Sequence, residues 1–133
     1  MKICFAVCEY NPFHNGHLKH IEYIKKNIAP DCLAIIMSGN FTQRGEIAII
    51  DKYTRAAHAI KAGADIVFEL PVAFAIAPAE IFAKGAINLA SYVKIEKVLC
   101  FGTENAEKNK LLSTAKALLD ESKEFKKLYK NFT

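Results

Sequence analysis

Ile3-Cys4-Phe5-Ala6-Val7-Cys8, followed by Glu9-Tyr10-Asn11-Pro12-Phe13-His14-Asn15-Gly16-His17, decides how this chain is read. The first six residues form an unbroken apolar run, the pattern of a strand buried on both faces. Pro12 and Gly16 punctuate the next nine. Beyond them Leu18, Ile21, Ile24 and Ile28 recur at helical spacing until Pro30 stops the pattern. A strand, a turn and a helix over His17–Ala29 follow from this. In an open α/β sheet such a turn lies at the strand's carboxyl end, where ligands bind. The helix start adds unsatisfied N–H groups and a partial positive charge, which suits an anion such as phosphate.

Outward from this unit the pattern repeats. Cys32–Met37, Asp65–Leu70 and Lys97–Phe101 read as further strands, the first running into a polar loop, Ser38–Glu46. Between them lie helices at Asp51–Ala62, capped by Asp51 and ended by Gly63, and at Ala79–Tyr92. A last one, Asn105–Leu119, takes Asn105 as its cap. Strands alternating with helices give the expected fold class: α/β, a doubly wound parallel sheet, Rossmann-like, of about four to five strands. Residues 1–119 make one domain in this reading. Residues 120–133 form an amphipathic C-terminal helix, with Phe125, Leu128, Tyr129 and Phe132 on one stripe among lysines. That stripe packs on the domain, or waits for another domain or a second copy.

Composition narrows the function classes. The chain has 133 residues, the size of one domain, and 52% are hydrophobic, enough for a core. A net charge of +4 is compatible with nucleotide or RNA binding without requiring it. The only arginines are Arg44 and Arg55, so each invites its own explanation; Arg55 reads as structural. Cys4, Cys8, Cys32 and Cys100 lie in or beside apolar runs without a C-x-x-C pair, as buried free thiols of a reducing compartment do. The longest apolar stretch is broken by Pro71, Pro78 and Glu80, and no signal peptide is evident. A cytoplasmic protein without a membrane partner is expected.

The unusual residues fall on one side. Glu9, Asn11, His14 and His17 follow the first strand, and Ser38, Gly39, Gln43 and Arg44 the second. Glu69 and Pro71 mark the third strand's end, and Gly102, Thr103 and Glu104 the fourth's. The opposite connections, such as Pro30-Asp31, are plain.

At the first turn, His17 starts the helix and can donate an N–H to a phosphate oxygen, with His14 donating from the other side. Gly16, lacking a Cβ, lets the backbone approach a nucleotide, and Pro12 stiffens the loop. Negative charge building on an α-phosphate would be met by preplaced donors. His14, His17 and His20 recur at spacing three, but H-E-x-x-H is absent, so no metal site is expected. His20 reads as a packing or hydrogen-bonding residue, His58 as structural. Neither a P-loop nor G-x-G-x-x-G occurs.

H-x-G-H after a first strand resembles the nucleotidyltransferases related to class I aminoacyl-tRNA synthetases. The phrases Val7–His17, Met37–Glu46, Phe68–Pro71 and Cys100–Glu104 together resemble the tRNA(Met) cytidine acetate ligase family, over about residues 1–119. The resemblance implies an HxGH nucleotidyltransferase fold. It also implies activation of acetate by ATP, then acetyl transfer to N4 of the wobble cytidine of elongator tRNA(Met). ATP would be held by Val7, Cys8, Glu9, Tyr10, Asn11, Pro12, Phe13, His14, Asn15, Gly16, His17, Leu18, Lys19, His20 and Gly102. His14 and His17 would be the catalytic pair, Arg44 would touch phosphate or RNA, and Mg2+ would accompany ATP. Members of that family are considerably longer, so the chain is expected to be an N-terminal nucleotide-binding part that self-associates through its C-terminal helix. The competing readings are a nucleotidyltransferase adenylating a small phosphorylated metabolite and a non-catalytic nucleotide-binding fragment.

Overall fold

Four strands, β1 (Lys2–Cys8), β2 (Cys32–Ser38), β3 (Ile66–Leu70) and β4 (Glu96–Cys100), form one parallel sheet in the order β3-β2-β1-β4 among the described residues. The computed structural model describes residues 1–103 and 107–119. In the register, Ile3 lies opposite Cys32 on one side and Lys97 on the other. Every strand lies within one residue at each end of its sequence-based position.

Successive residues of a strand point to opposite faces, and here both faces are covered. On one face Cys4 and Ala6 of β1 and Leu33, Ile35 and Met37 of β2 meet Ile21, Ile24 and Ala59. Those partners belong to α1 (Asn15–Tyr23), the π-helical turn Ile24–Ile28 that continues it, and α2 (Lys52–Lys61). On the other face Ile3, Phe5, Ala34 and Ile36 meet Ala75, Ala86 and Ala90. These lie on α3 (Val72–Ala75) and α4 (Ala79–Ser91). The unbroken apolar runs in β1 and β2 are thus explained by burial from both sides.

The caps follow the chemistry of their residues. Asp51 accepts from the N–H groups of Tyr53 and Thr54, both at 3.0 Å, as expected for the start of α2. Gly63, at φ 113°, lets the chain leave that helix. The first helix differs from its expected span. It begins at Asn15 because His14 serves as N-cap, and its end widens so that the Ala29 N–H reaches Ile24 O at 3.1 Å. Ala29 is left-handed, at φ 44°, and Pro30 bars any continuation. The single turn α3 was missed, because four residues between Pro71 and Pro78 show no helical period.

The chain divides into two compact units, Met1–Gly102 and Thr103–Thr133. In the second, α5 (Lys108–Leu119) carries a Glu107–Lys110 ion pair at 3.0 Å near its start. The expected cap Asn105, Glu104 and the Phe125–Phe132 stripe lie outside the described residues. No helix among the described residues is long and apolar enough to cross a membrane.

Candidate functional site

The order β3-β2-β1-β4 places a topological reversal between β1 and β4. From β1 the chain steps outward to β2 and β3, then returns to lay β4 on the other side of β1. Loops diverge at such a point and leave a crevice outside the carboxyl ends of the two strands. The loop after β1 is Glu9–His14, and β4 ends toward Phe101 and Gly102. Val7 packs toward α3 and α4, Cys8 toward α1 and α2.

Tyr10 turns the chain sharply out of β1. Its backbone is left-handed, at φ 52°, uncommon for a non-glycine residue. Its ring folds back into the core, 1% exposed, edge-on to Phe13 at 4.9 Å and to His17 at 4.8 Å between ring centroids. Burial and the nearby Cys8 thiol push the phenol's pKa up. The Tyr10 side chain is therefore a platform beneath the turn.

The two histidines are built into the helix start. The Gly16 N–H donates to His14 Nδ1 at 3.0 Å, and the His14 N–H donates to His17 Nδ1 at 3.3 Å. Each Nδ1 therefore accepts, which places the ring proton on Nε2. The rings stack at 3.7 Å with 23° between their planes. Two Nε2–H donors thus emerge side by side, which corrects the expectation that the histidines flank an anion from opposite sides. A second expectation changes with it. The backbone N–H groups of His14 and Gly16 are taken by imidazoles and that of His17 by His14 O at 2.9 Å, so the rings relay the polarity of the helix start outward.

Gly16 is needed for a different reason from the one its sequence suggested. A Cβ there would lie 2.9 Å from His14 Cε1, so the space is filled by the imidazole rather than left for a ligand. Gly102 is the reverse case: nothing lies within 4 Å of where its Cβ would be. His20 does hydrogen-bond or pack, its Nε2 lying 3.5 Å from Cys100 Sγ at the end of β4. Pro12, Asn15 and Lys19 are exposed, while Phe13 and Leu18 are half-buried.

The loop after β2 is fastened to this turn. Glu9 Oε1 accepts from the Gln43 N–H at 2.6 Å, and Asn11 Oδ1 from the Ile49 N–H at 2.8 Å. Gln43 Nε2 donates to Ala77 O at 3.1 Å, between α3 and α4. Glu69 pairs with Lys52 at 2.7 Å, not with Arg44, which stands exposed at the loop's tip. The roles of Gln43 and Asn11 could not be read beforehand, since a backbone N–H gives no sequence signal.

Burial, then the neighbouring His14 and His20, hold the His17 pKa below the ordinary histidine value. Burial alone lowers that of His20. At neutral pH His17 is uncharged in the fold. As pH falls through about 6.5 the unfolded chain takes up protons that the folded turn resists, so stability is present above that pH and lost below it. Melting temperature should drop between pH 7.5 and 5.5, and His17→Gln should make the drop shallower. An unchanged pH profile in that variant would contradict the assignment.

Over residues 1–133 the chain matches the family model described as HIGH Nucleotidyl Transferase. It is similar to the tRNA(Met) cytidine acetate ligase of Thermosipho melanesiensis, 48% identical over 130 residues, which are 98% of this chain and 31% of the relative. The same-named protein of Geobacillus sp. is 47% identical over 93% of this chain and 31% of its own. The crystal structure of Thermotoga maritima TmcAL bound with alpha-thio ATP superposes with a TM-score of 0.87 at 42% identity, covering 96% of this chain and 31% of that one. A lipopolysaccharide core biosynthesis protein from Thermoplasma volcanium shares the fold, with a TM-score of 0.57 at 20% identity. The chain thus spans about a third of the length of its curated relatives.

Proposed function

The chain belongs to the HIGH nucleotidyl transferase family, and from that premise we propose that it supplies the ATP-binding face of a tRNA(Met) cytidine acetate ligase. The observation that carries this is the stacked His14–His17 pair, with two Nε2–H donors at the β1–β4 reversal and an unobstructed Gly102 at the neighbouring strand end.

ATP lies across the carboxyl ends of β1 and β4 in this reading. The stretch Val7–His20 forms one wall, and Gly102 leaves room for base or ribose. The imidazoles donate to the nonbridging oxygens of the α-phosphate. An acetate oxygen attacks that phosphorus, pyrophosphate leaves in line, and the two donors meet the charge that builds on the oxygens. The N4 amine of the wobble cytidine then attacks the acetyl carbonyl, loses a proton, and AMP departs. Lys19 and Arg44 supply exposed cations for phosphate, Arg44 also for RNA. Among the described residues no three His, Cys, Asp or Glu side chains are grouped to hold a metal. Mg2+ would accompany ATP on its phosphates, consistent with its habit of keeping water and phosphate ligands.

Titration calorimetry with ATP tests the nucleotide site, and ATP–pyrophosphate exchange tests the acid. Exchange that needs acetate supports acetate ligation; exchange that needs a phosphorylated acceptor supports small-metabolite adenylation; binding without exchange leaves a nucleotide-binding part. Gly102→Val should abolish ATP binding while melting within about 1 °C of the parent, since its side chain enters open space and surface changes cost little. Parent-like affinity in Gly102→Val would move the nucleotide away from the end of β4.

A further inference from the structure

Arg55 sits on α2 with 0% of its surface exposed, the largest fully buried side chain among the described residues. Its guanidinium donates to four backbone carbonyls. Nε donates to Ile50 O at 2.9 Å, Nη1 to Glu9 O at 2.6 Å and to Ser38 O at 3.2 Å, and Nη2 to Gly39 O. A buried cation is tolerated only when so fully bonded. The choice of carbonyls is informative. Glu9 is the first residue past β1; Ser38 ends β2 and Gly39 follows it. One planar fork therefore fixes the exits of the two central strands against each other.

The Glu9 carbonyl belongs to the peptide that enters Tyr10, whose left-handed backbone persists only where its surroundings hold it. Tyr10's ring lies edge-on to His17, and His17 stacks on His14. A continuous series of contacts runs from Arg55 through Glu9 O and Tyr10 to the two Nε2–H donors.

We propose that Arg55 is the positioning residue of the nucleotide site: by holding the Glu9–Tyr10 peptide it sets the orientation in which His14 and His17 present their donors. This rests on the ATP-binding reading above, and it goes further by assigning the site's geometry to a residue outside the turn. Arg55 touches no substrate. Its effect passes through backbone, so a lysine, with the charge but not the fork, cannot replace it.

The test uses Arg55→Lys and Arg55→Met, the second filling the space without donors, beside Ile3→Val, a core truncation on the sheet's other face at the strand end away from the turn. Nitrogen-15 imidazole shifts report the His14 and His17 tautomers, and calorimetry reports ATP affinity. Both Arg55 variants are expected to lose the Nε2–H tautomer signature and to bind ATP at least tenfold more weakly. Ile3→Val should lower the melting temperature and change neither readout. If a folded Arg55 variant keeps parent-like histidine shifts and affinity, or if both variants fail to fold, Arg55 is a residue of stability alone and the proposal is overturned. The histidine shifts decide this even if the parent binds no ATP, an outcome that would sink the nucleotide reading instead.

Discussion

His14→Asn is expected to weaken ATP binding by about 10- to 100-fold while leaving the fold intact. His14 does two things with one ring. Its Nδ1 caps the helix by accepting from the Gly16 N–H, and its Nε2–H is free for a ligand. Asparagine is among the best N-cap residues, so its oxygen can keep the first role. It is too short to reproduce the second. A hydrogen bond to a charged group contributes about 1.5–3 kcal/mol, which corresponds to that range of affinity. His17→Asn added to His14→Asn can keep the Nδ1-like acceptor for the His14 N–H but removes the second far-side donor, and about a thousandfold loss is expected if the two act independently. Stacking makes the pair a unit, so part of the loss should already appear in either single variant. Calorimetry and thermal melting on the same samples separate binding from folding. A double variant that binds ATP like the parent would remove the histidines from the site.

The sheet was legible because burial on both faces writes itself into sequence as long apolar runs, and β1 and β2 show it most strongly. The place of the candidate site was suggested by the sequence too, since the histidines, Arg44 and most of the unusual polar residues follow the strands. What the sequence concealed was the direction of side chains. Nothing in His14-Asn15-Gly16-His17 tells that the imidazoles stack, or that they accept from the N–H groups of His14 and Gly16. Tyr10 reads as part of a polar turn, yet its side chain is 1% exposed, because a left-handed backbone returns the ring to the core. Arg55 read correctly as structural, but its partners are carbonyls, which every residue has. Arg44 remains an exposed cation whose assignment depends on the ligand it meets.

The loop after β2 is a fixed wall of this site rather than a lid. It is tied to the β1 turn at Glu9 and Asn11, to α2 through Arg55, and to the α3–α4 connection through Gln43. Three of these ties hold the loop's own main chain, at Gly39 O and at the N–H groups of Gln43 and Ile49, while tip residues such as Arg44 and Ile47 stay exposed. On the proposed reading, the tip would present groups to a second substrate and the ties would hold the nucleotide geometry.

Those ties make the packing of α3 matter to the site, and Gly85→Ala is expected to show it. Gly85 is buried on α4, and a Cβ there would overlap Phe74 Cγ and lie 2.6 Å from Phe74 Cβ. Two effects oppose each other. Alanine is favoured over glycine within a helix by about 1 kcal/mol. Overpacking costs about 1–3 kcal/mol and occasionally more. The overlap includes Phe74 Cβ, which moves only with the backbone of α3, so the upper end applies and the clash wins by about 2 kcal/mol. For a unit of this size that lowers the melting temperature by about 10 °C. The backbone shift should also be felt at Ala77 O, where Gln43 is anchored, and through Gln43 at Glu9, weakening ATP binding a few-fold. In a Phe74→Ala background the Cγ and Cδ1 overlaps are gone, so Gly85→Ala should cost less stability there than in the parent, a non-additive result that identifies the contact. A Gly85→Ala protein that melts at or above the parent temperature would mean that helix propensity wins and that α3 and α4 do not pack this closely.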